Sequence, residues 1–323
     1  MRHSIFVILA ISILTFSAIF SPPVDRPRIT STFGEFRSMG SRGPHFHMGA
    51  DFSTALSEGK PIYAAADGYL VRIEIDEDDI YGYTIVLEHE GGYRTLYAHM
   101  SAFAPKLKRI VEDLKREFGD ERIVVEFPRN EIFFKKGEIV GFSGKTGEAT
   151  WPHVHFEVRN QEESVSFDPL PFLSSIRRPV DEEIVVEKIA VDGVVKGYEK
   201  NMTMTFKGDY PRIEVLAYSI GFSNKLGLKS LTLEFNGEEV FKISFDSIPW
   251  SEFENVYSVY SERSKMTAYT FKPWYALYPK GGSSLVKINK MNRRFPDTLK
   301  ARIILKDAWG MTKEIELNLR RER

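Results

Sequence analysis

The chain has 323 residues, long enough for two ordinary cores, and sets 44 Lys and Arg against 45 Asp and Glu. That balance excludes a general electrostatic pull toward nucleic acid or an acidic membrane surface, so any partner has to be read from a site. Cysteine is absent, which excludes a disulfide framework, a thiolate metal site, a catalytic thiol and a lipid-anchored N-terminal cysteine.

Residues 1–21 carry Arg2 and His3 and then run apolar from Ile5 to Phe20, broken by Ser12, Thr15 and Ser17. This pattern predicts an export signal, cleaved or retained as an N-terminal anchor. The run is short for a stable span, which needs roughly 20 residues, and Ser17, Ala18 and Ser21 match a small-x-small cleavage site poorly. Both versions place the rest of the chain outside the cytoplasmic membrane, in the periplasm or cell envelope, with a membrane tether through the N-terminus in the second. Residues 22–28 hold three prolines and read as an extended linker, with folded sequence from Ile29.

From Pro61 to His99 short β-rich runs are separated by turn residues. Gly68 to Ile75, Tyr83 to Leu87 and Tyr93 to His99 predict an antiparallel sheet, with Gly91-Gly92 as a hairpin turn. An interruption, residues 102–135, has Leu107, Ile110, Val111, Leu114 and Phe118 at helical spacing up to Gly119. Strand patterns return at Ile123 to Phe127, Glu138 to Phe142 and His153 to Arg159. Residues 174–183 read as a boundary. Beyond them, paired runs at Leu231 to Phe235 and Val240 to Phe245 across Asn236-Gly237, and at Ala301 to Leu305 and Ile315 to Leu319 across Trp309-Gly310, predict a sandwich-like β-domain over residues 184–323. The expected fold class is all-β and mainly antiparallel, with one helical insertion.

Four of the seven histidines fall in three short segments. In His47-Met48-Gly49-Ala50-Asp51 a glycine between the two polar residues permits a sharp turn that brings nitrogen and oxygen to one cation. In His153-Val154-His155 the strand period of two puts both imidazoles on one face, with Val154, Phe156 and Val158 on the other. The third segment is Tyr97-Ala98-His99. Hydrolytic zinc takes about three protein ligands, so four His and one Asp are two more than coordination needs. The surplus points to two histidines that serve the reaction rather than the metal.

The two motifs resemble the H-x-G-x-D and H-x-H motifs of the LytM and lysostaphin-type zinc endopeptidases. The surroundings agree: Gly34, Pro61 to Gly68, Tyr97 to Ser101, Lys136 to Gly141 and Pro152 to Glu157, so the likeness runs over residues 29–173. It implies one zinc ion held by His47, Asp51 and His155, a catalytic pair in His99 and His153, and a β-domain with an open groove. It also implies a peptidoglycan stem or crosslink peptide as substrate, cut by metal-activated water. The 102–135 segment resembles an insertion found in part of the family and is expected to border the groove. Trp151 stands where a small residue is common, which makes the wall beside His153 bulkier. The competing reading is an inactive wall-binding or hydrolase-activating module; relatives of that kind lack some ligands, and here every position is filled. The oligomeric state is not legible.

Other polar residues carry plainer expectations. His45 belongs to a groove wall or the surface, His89 to a strand end, and Arg37 and Arg42 to a charged loop able to meet a substrate carboxylate. Glu157 shares the face of His153 and His155; it reads as a solvent-exposed strand residue, the other reading being a partner that orients an imidazole.

Overall fold

A computed structural model describes residues 19–38, 42–76, 80–119 and 122–322. The predicted export signal, residues 1–18 of it, lies outside the described residues. Among those described, no helix is long and apolar enough to cross a membrane.

The N-terminal half is built on an antiparallel sheet. Its strands run in the order Ile29–Ser31, Ala50–Ser53, His153–Asn160, Tyr93–Phe103, Tyr83–His89 and Gly68–Ile75. Alternation sends Phe52, Leu70, Ile73, Ile85, Leu87, Tyr97, Val154, Phe156 and Val158 into one core. The hairpin at Gly91-Gly92 forms as predicted, with φ of 89° and 77°, values that glycine adopts without steric penalty.

Two expectations for this half need correction. Residues 22–28 are not a free linker: Ser21 donates to Ala65 O at 2.8 Å, Tyr63 N to Pro23 O at 2.8 Å, and Phe20 is fully buried. The prolines hold the segment extended, as read, but extended backbone is also what lies well along a strand, and Phe20 fills a gap beside His89, Tyr93 and Phe172. The insertion does not border the groove. Its helix, Lys108–Phe118, packs Ile110, Val111 and Leu114 on the sheet core, and its strands Ile123–Glu126 and Phe133–Phe134 both pair with Gly68–Ile75 at the far edge.

The C-terminal half is a sandwich of two sheets. One contains Glu183–Val191 and Ile213–Gly221; the other contains Ser230–Phe235, Glu238–Ser244, Thr298–Lys306 and Thr312–Arg321. Ile189, Val215, Leu231, Ile303 and Leu317 meet between them. Phe33, Phe36, Phe46 and Met48, all preceding Asp51 in the chain, belong to this same core. The two halves are further joined by pairing of Val165–Phe167 with Ser247–Pro249, and by the Lys229 ammonium 2.7 Å from Asp168.

Candidate metal centre and its cleft

The ladder between strands Ala50–Ser53 and His153–Asn160 puts His155 directly opposite Asp51, and His155 opposite Ala98 on the other side. Residues directly opposite share a face, so Asp51 and His155 meet by register. Gly49 makes this possible through close approach. A Cβ there would sit 2.4 Å from Phe156 O and 2.9 Å from His155 Nε2, and its φ is not positive; the need is for space beside the His155 strand rather than for the sharp turn expected.

Three donor atoms converge. His47 Nε2 lies 3.0 Å from Asp51 Oδ1 and 2.9 Å from His155 Nδ1, and His155 Nδ1 lies 3.0 Å from Asp51 Oδ1. The far nitrogens set the tautomers. His47 Nδ1–H donates to Thr32 O at 2.8 Å and His155 Nε2–H to Glu157 Oε1 at 2.9 Å, leaving two imidazole lone pairs and a carboxylate oxygen aimed at one point. Ligands about 2.1 Å from a tetrahedral zinc stand about 3.4 Å apart. The cluster needs to open by only a few tenths of an ångström, and the His-Asp-His donor set fits that ion.

His99 and His153 stand beside it. His99 Nδ1–H donates to Thr146 O at 2.9 Å and His153 Nδ1–H to Trp151 O at 2.7 Å. Their ring centroids are 4.7 Å apart, and His153 Nε2 is 3.5 Å from Asp51 Oδ1. His99 has φ of 59°, a left-handed conformation that costs a non-glycine residue of order 1–3 kcal/mol and is held only by surrounding contacts. One such contact is His99 N–H to Tyr81 O at 2.9 Å. The structure thus brings together all five residues singled out in the sequence.

Electrostatics follow from burial and neighbours. Burial pushes the His47 imidazole down and, reinforced by His153, holds His99 well below the usual range. For Asp51 burial acts upward, but His47 and His153 overcome it and hold the carboxyl well below its ordinary value. Burial also opposes charge on His155, yet Asp51 and Glu157 raise it to about 9.

Glu157 requires correction. It is fully buried rather than exposed, and besides His155 it accepts from Arg159 Nε at 2.6 Å and Tyr81 Oη at 2.7 Å. Alternation placed it on the correct face, but that face is roofed: Tyr81 lies over it, and Trp250 of the C-terminal half packs 4.5 Å from the Arg159 guanidinium. Arg159 continues to Glu163 at 2.7 Å, and Glu163 to Arg72 and Arg94. Arg37 is tied to Glu35 at 2.8 Å and lies 3.4 Å from Asp51 Oδ2, so it braces a cluster residue rather than standing free for a carboxylate.

The cluster opens into a cleft of about 620 Å³. His45 lines it, stacked on Phe253 at 4.8 Å, as a groove-wall residue. Trp151 lines it and is 48% exposed. Arg42 and the described residues of 102–135 do not line it. His89 bonds Asp67 O and Thr95 Oγ1 within the fold. Missed from the sequence were Asn224, Phe253 and Met266 to Ala268, cleft residues from the C-terminal half; no motif marks them.

Residues 45–113 match Peptidase family M23. The DD-carboxypeptidase/endopeptidase Mpg of Neisseria meningitidis is 31% identical over 137 residues, 42% of this chain and 25% of that protein. The peptidoglycan DD-endopeptidase ShyB of Vibrio cholerae is 29% identical over 159 residues, 48% of this chain and 31% of that protein. Lysostaphin of Staphylococcus simulans is 30% identical over 131 residues, 40% of this chain and 22% of that protein. The chain therefore spans between a fifth and a third of the length of these curated relatives. Both motifs fold into one cluster, and the match over residues 45–113 takes in the first of them, so this part of the chain is similar to Peptidase family M23.

Proposed function

We propose that the protein is an exported zinc endopeptidase that hydrolyses stem or crosslink peptides of bacterial peptidoglycan. The observation that carries this reading is the convergence of His47 Nε2, Asp51 Oδ1 and His155 Nδ1 at the floor of an open cleft, beside His99 and His153. The names of the relatives, a DD-carboxypeptidase/endopeptidase, a peptidoglycan DD-endopeptidase and lysostaphin, support the same substrate class.

His47, Asp51 and His155 would hold one zinc ion. When bound, it supplies a Lewis acid for the scissile carbonyl and lowers the pKa of the attacking water. The chain supplies the proton handling. Because Nδ1–H of His99 and of His153 is committed to a backbone carbonyl, each ring presents Nε2 as a proton acceptor. One Nε2 takes a proton as water attacks; the same atom, now N–H, gives it to the leaving amine. Once it carries that proton, the same ring also steadies the oxygen as it gains negative charge. The Glu157 carboxylate keeps His155 in the tautomer that offers Nδ1 to the ion.

Metal analysis, together with digestion of purified peptidoglycan by the wild type and by His153→Ala, tests the proposal. The expected result is about one zinc per chain, new amino termini from the wild type, and a loss of about 10²- to 10⁴-fold in the variant. A zinc-loaded protein that releases no new peptide ends points instead to a wall-binding module.

A further inference from the structure

The cleft has walls of two origins. One is the turn Gly147 to Pro152 together with Leu56; the other is Phe253 and a hairpin of strands Lys265–Thr267 and Thr270–Lys272, from which Met266, Thr267 and Ala268 line the cleft. The hairpin is held rather than loose. The Ser38 hydroxyl donates to Met266 O at 2.9 Å and receives Met266 N–H at 3.1 Å. Arg37 then spans the remaining distance, with Nη1 3.4 Å from Met266 Sδ and Nη2 3.4 Å from Asp51 Oδ2. A single guanidinium thus separates the C-terminal hairpin from the metal cluster. Thr267 is exposed and Ala268 half-buried on this wall, and Trp151 on the other wall is 48% exposed.

We propose that the hairpin Lys265 to Lys272 is a specificity-determining wall of the peptidase site, so that the catalytic cleft is shared by both halves of the chain. The occupant is an extended peptide segment flanking the scissile bond. Its side chains on the hairpin side are uncharged, because Met266, Thr267, Ala268 and Phe253 carry no charge and Arg37 behind them is already paired with Glu35 and Asp51, so a charged group placed there would lose hydration without a partner. This rests on the endopeptidase reading, and the test separates the two.

Ala268→Trp and Thr267→Trp each narrow the cleft from the hairpin side, in the full zinc-loaded chain. Binding is measured by calorimetry in a His153→Ala background with a soluble crosslinked wall peptide; KM and kcat are measured in the otherwise wild-type enzyme, with zinc content and melting temperature as controls. The expected result is binding weakened about tenfold or more, a matching rise in KM, and little change in kcat or zinc content. Should Ala268→Trp lose zinc or melt early, Thr267→Trp decides, since Thr267 lines the cleft and is exposed. Variants that both bind and cleave like their parent overturn the hairpin's role while leaving the endopeptidase reading intact. A parent that binds but never cleaves, with weakened variants, does the reverse. A parent that binds no wall peptide overturns both.

Discussion

The fully buried Glu157 carboxylate accepts hydrogen bonds from His155 Nε2, Arg159 Nε and Tyr81 Oη. Burial disfavours its charge, but Arg159 and His155 hold its pKa far below the usual carboxylate range. Glu157→Gln is therefore expected to weaken zinc about 10- to 100-fold in chelator competition. It also leaves Arg159 short of a partner, which lowers stability by about 3–5 kcal/mol in chemical denaturation. His155 gives a pH signature. Its folded pKa of about 9 exceeds the unfolded value near 6.5, so in the metal-free protein its stabilisation is full below about pH 6.5 and is lost as pH rises through about 9. Metal binding must displace that proton and has the opposite slope. The melting-temperature gap between zinc-loaded and metal-free protein should widen from pH 6.5 to 9, and calorimetry at pH 7.5 in buffers of different ionisation heat should show proton release.

At the scale of elements, two strands and a glycine decide whether the donors meet. A methyl group at Gly49 would strike Phe156 O, a backbone atom that can retreat only if the strand pair opens. Gly49→Ala should cost about 1–3 kcal/mol by denaturant titration, and because the strand that moves also carries His155, it should reduce zinc content measured on the purified protein. The insertion offers a contrast. Its helix Lys108–Phe118 lies over the sheet core, and its strands occupy the edge beyond Gly68–Ile75, away from the Asp51 and His155 strands. Charge reversal at exposed Arg109 and Arg116 should leave kcat and KM on wall peptide within about twofold, as surface changes away from special features usually do. A large shift in KM would restore a gating role to this segment.

At the scale of the whole molecule, the N-terminal half does not end at its own surface. Phe33, Phe36, Phe46 and Met48 are buried against the sandwich, Tyr260 Oη donates to Gly34 O at 2.9 Å, and Gly227 N–H donates to Glu35 at 2.8 Å. A chain cut after residue 183 would expose that apolar surface close to the first motif. It is expected to bind a hydrophobic dye, lose near-ultraviolet circular dichroism and load zinc poorly, whereas the full chain does none of these. A well-folded, zinc-loaded fragment would show that the sandwich only decorates the peptidase half.

Much of the local architecture was legible in the sequence because it is governed by local rules. Period-two patterning, glycine turns and the helical spacing of Leu107 to Phe118 located the principal strands, the hairpins and the helix, and the His-rich motifs named the five residues that gather at the cluster. Other properties depend on what packs on a segment after it has formed. Phe20 reads as the tail of an apolar run until Phe172 and His89 close around it. Glu157 reads as exposed until Tyr81 and Trp250 roof its face. Met266 to Ala268 carry no motif until Ser38 and Arg37 hold their hairpin beside Asp51. Chemistry that repeats at short spacing is written along the chain; register, burial and shared walls arise from contacts between residues up to some 230 positions apart, and only the tertiary structure decides them.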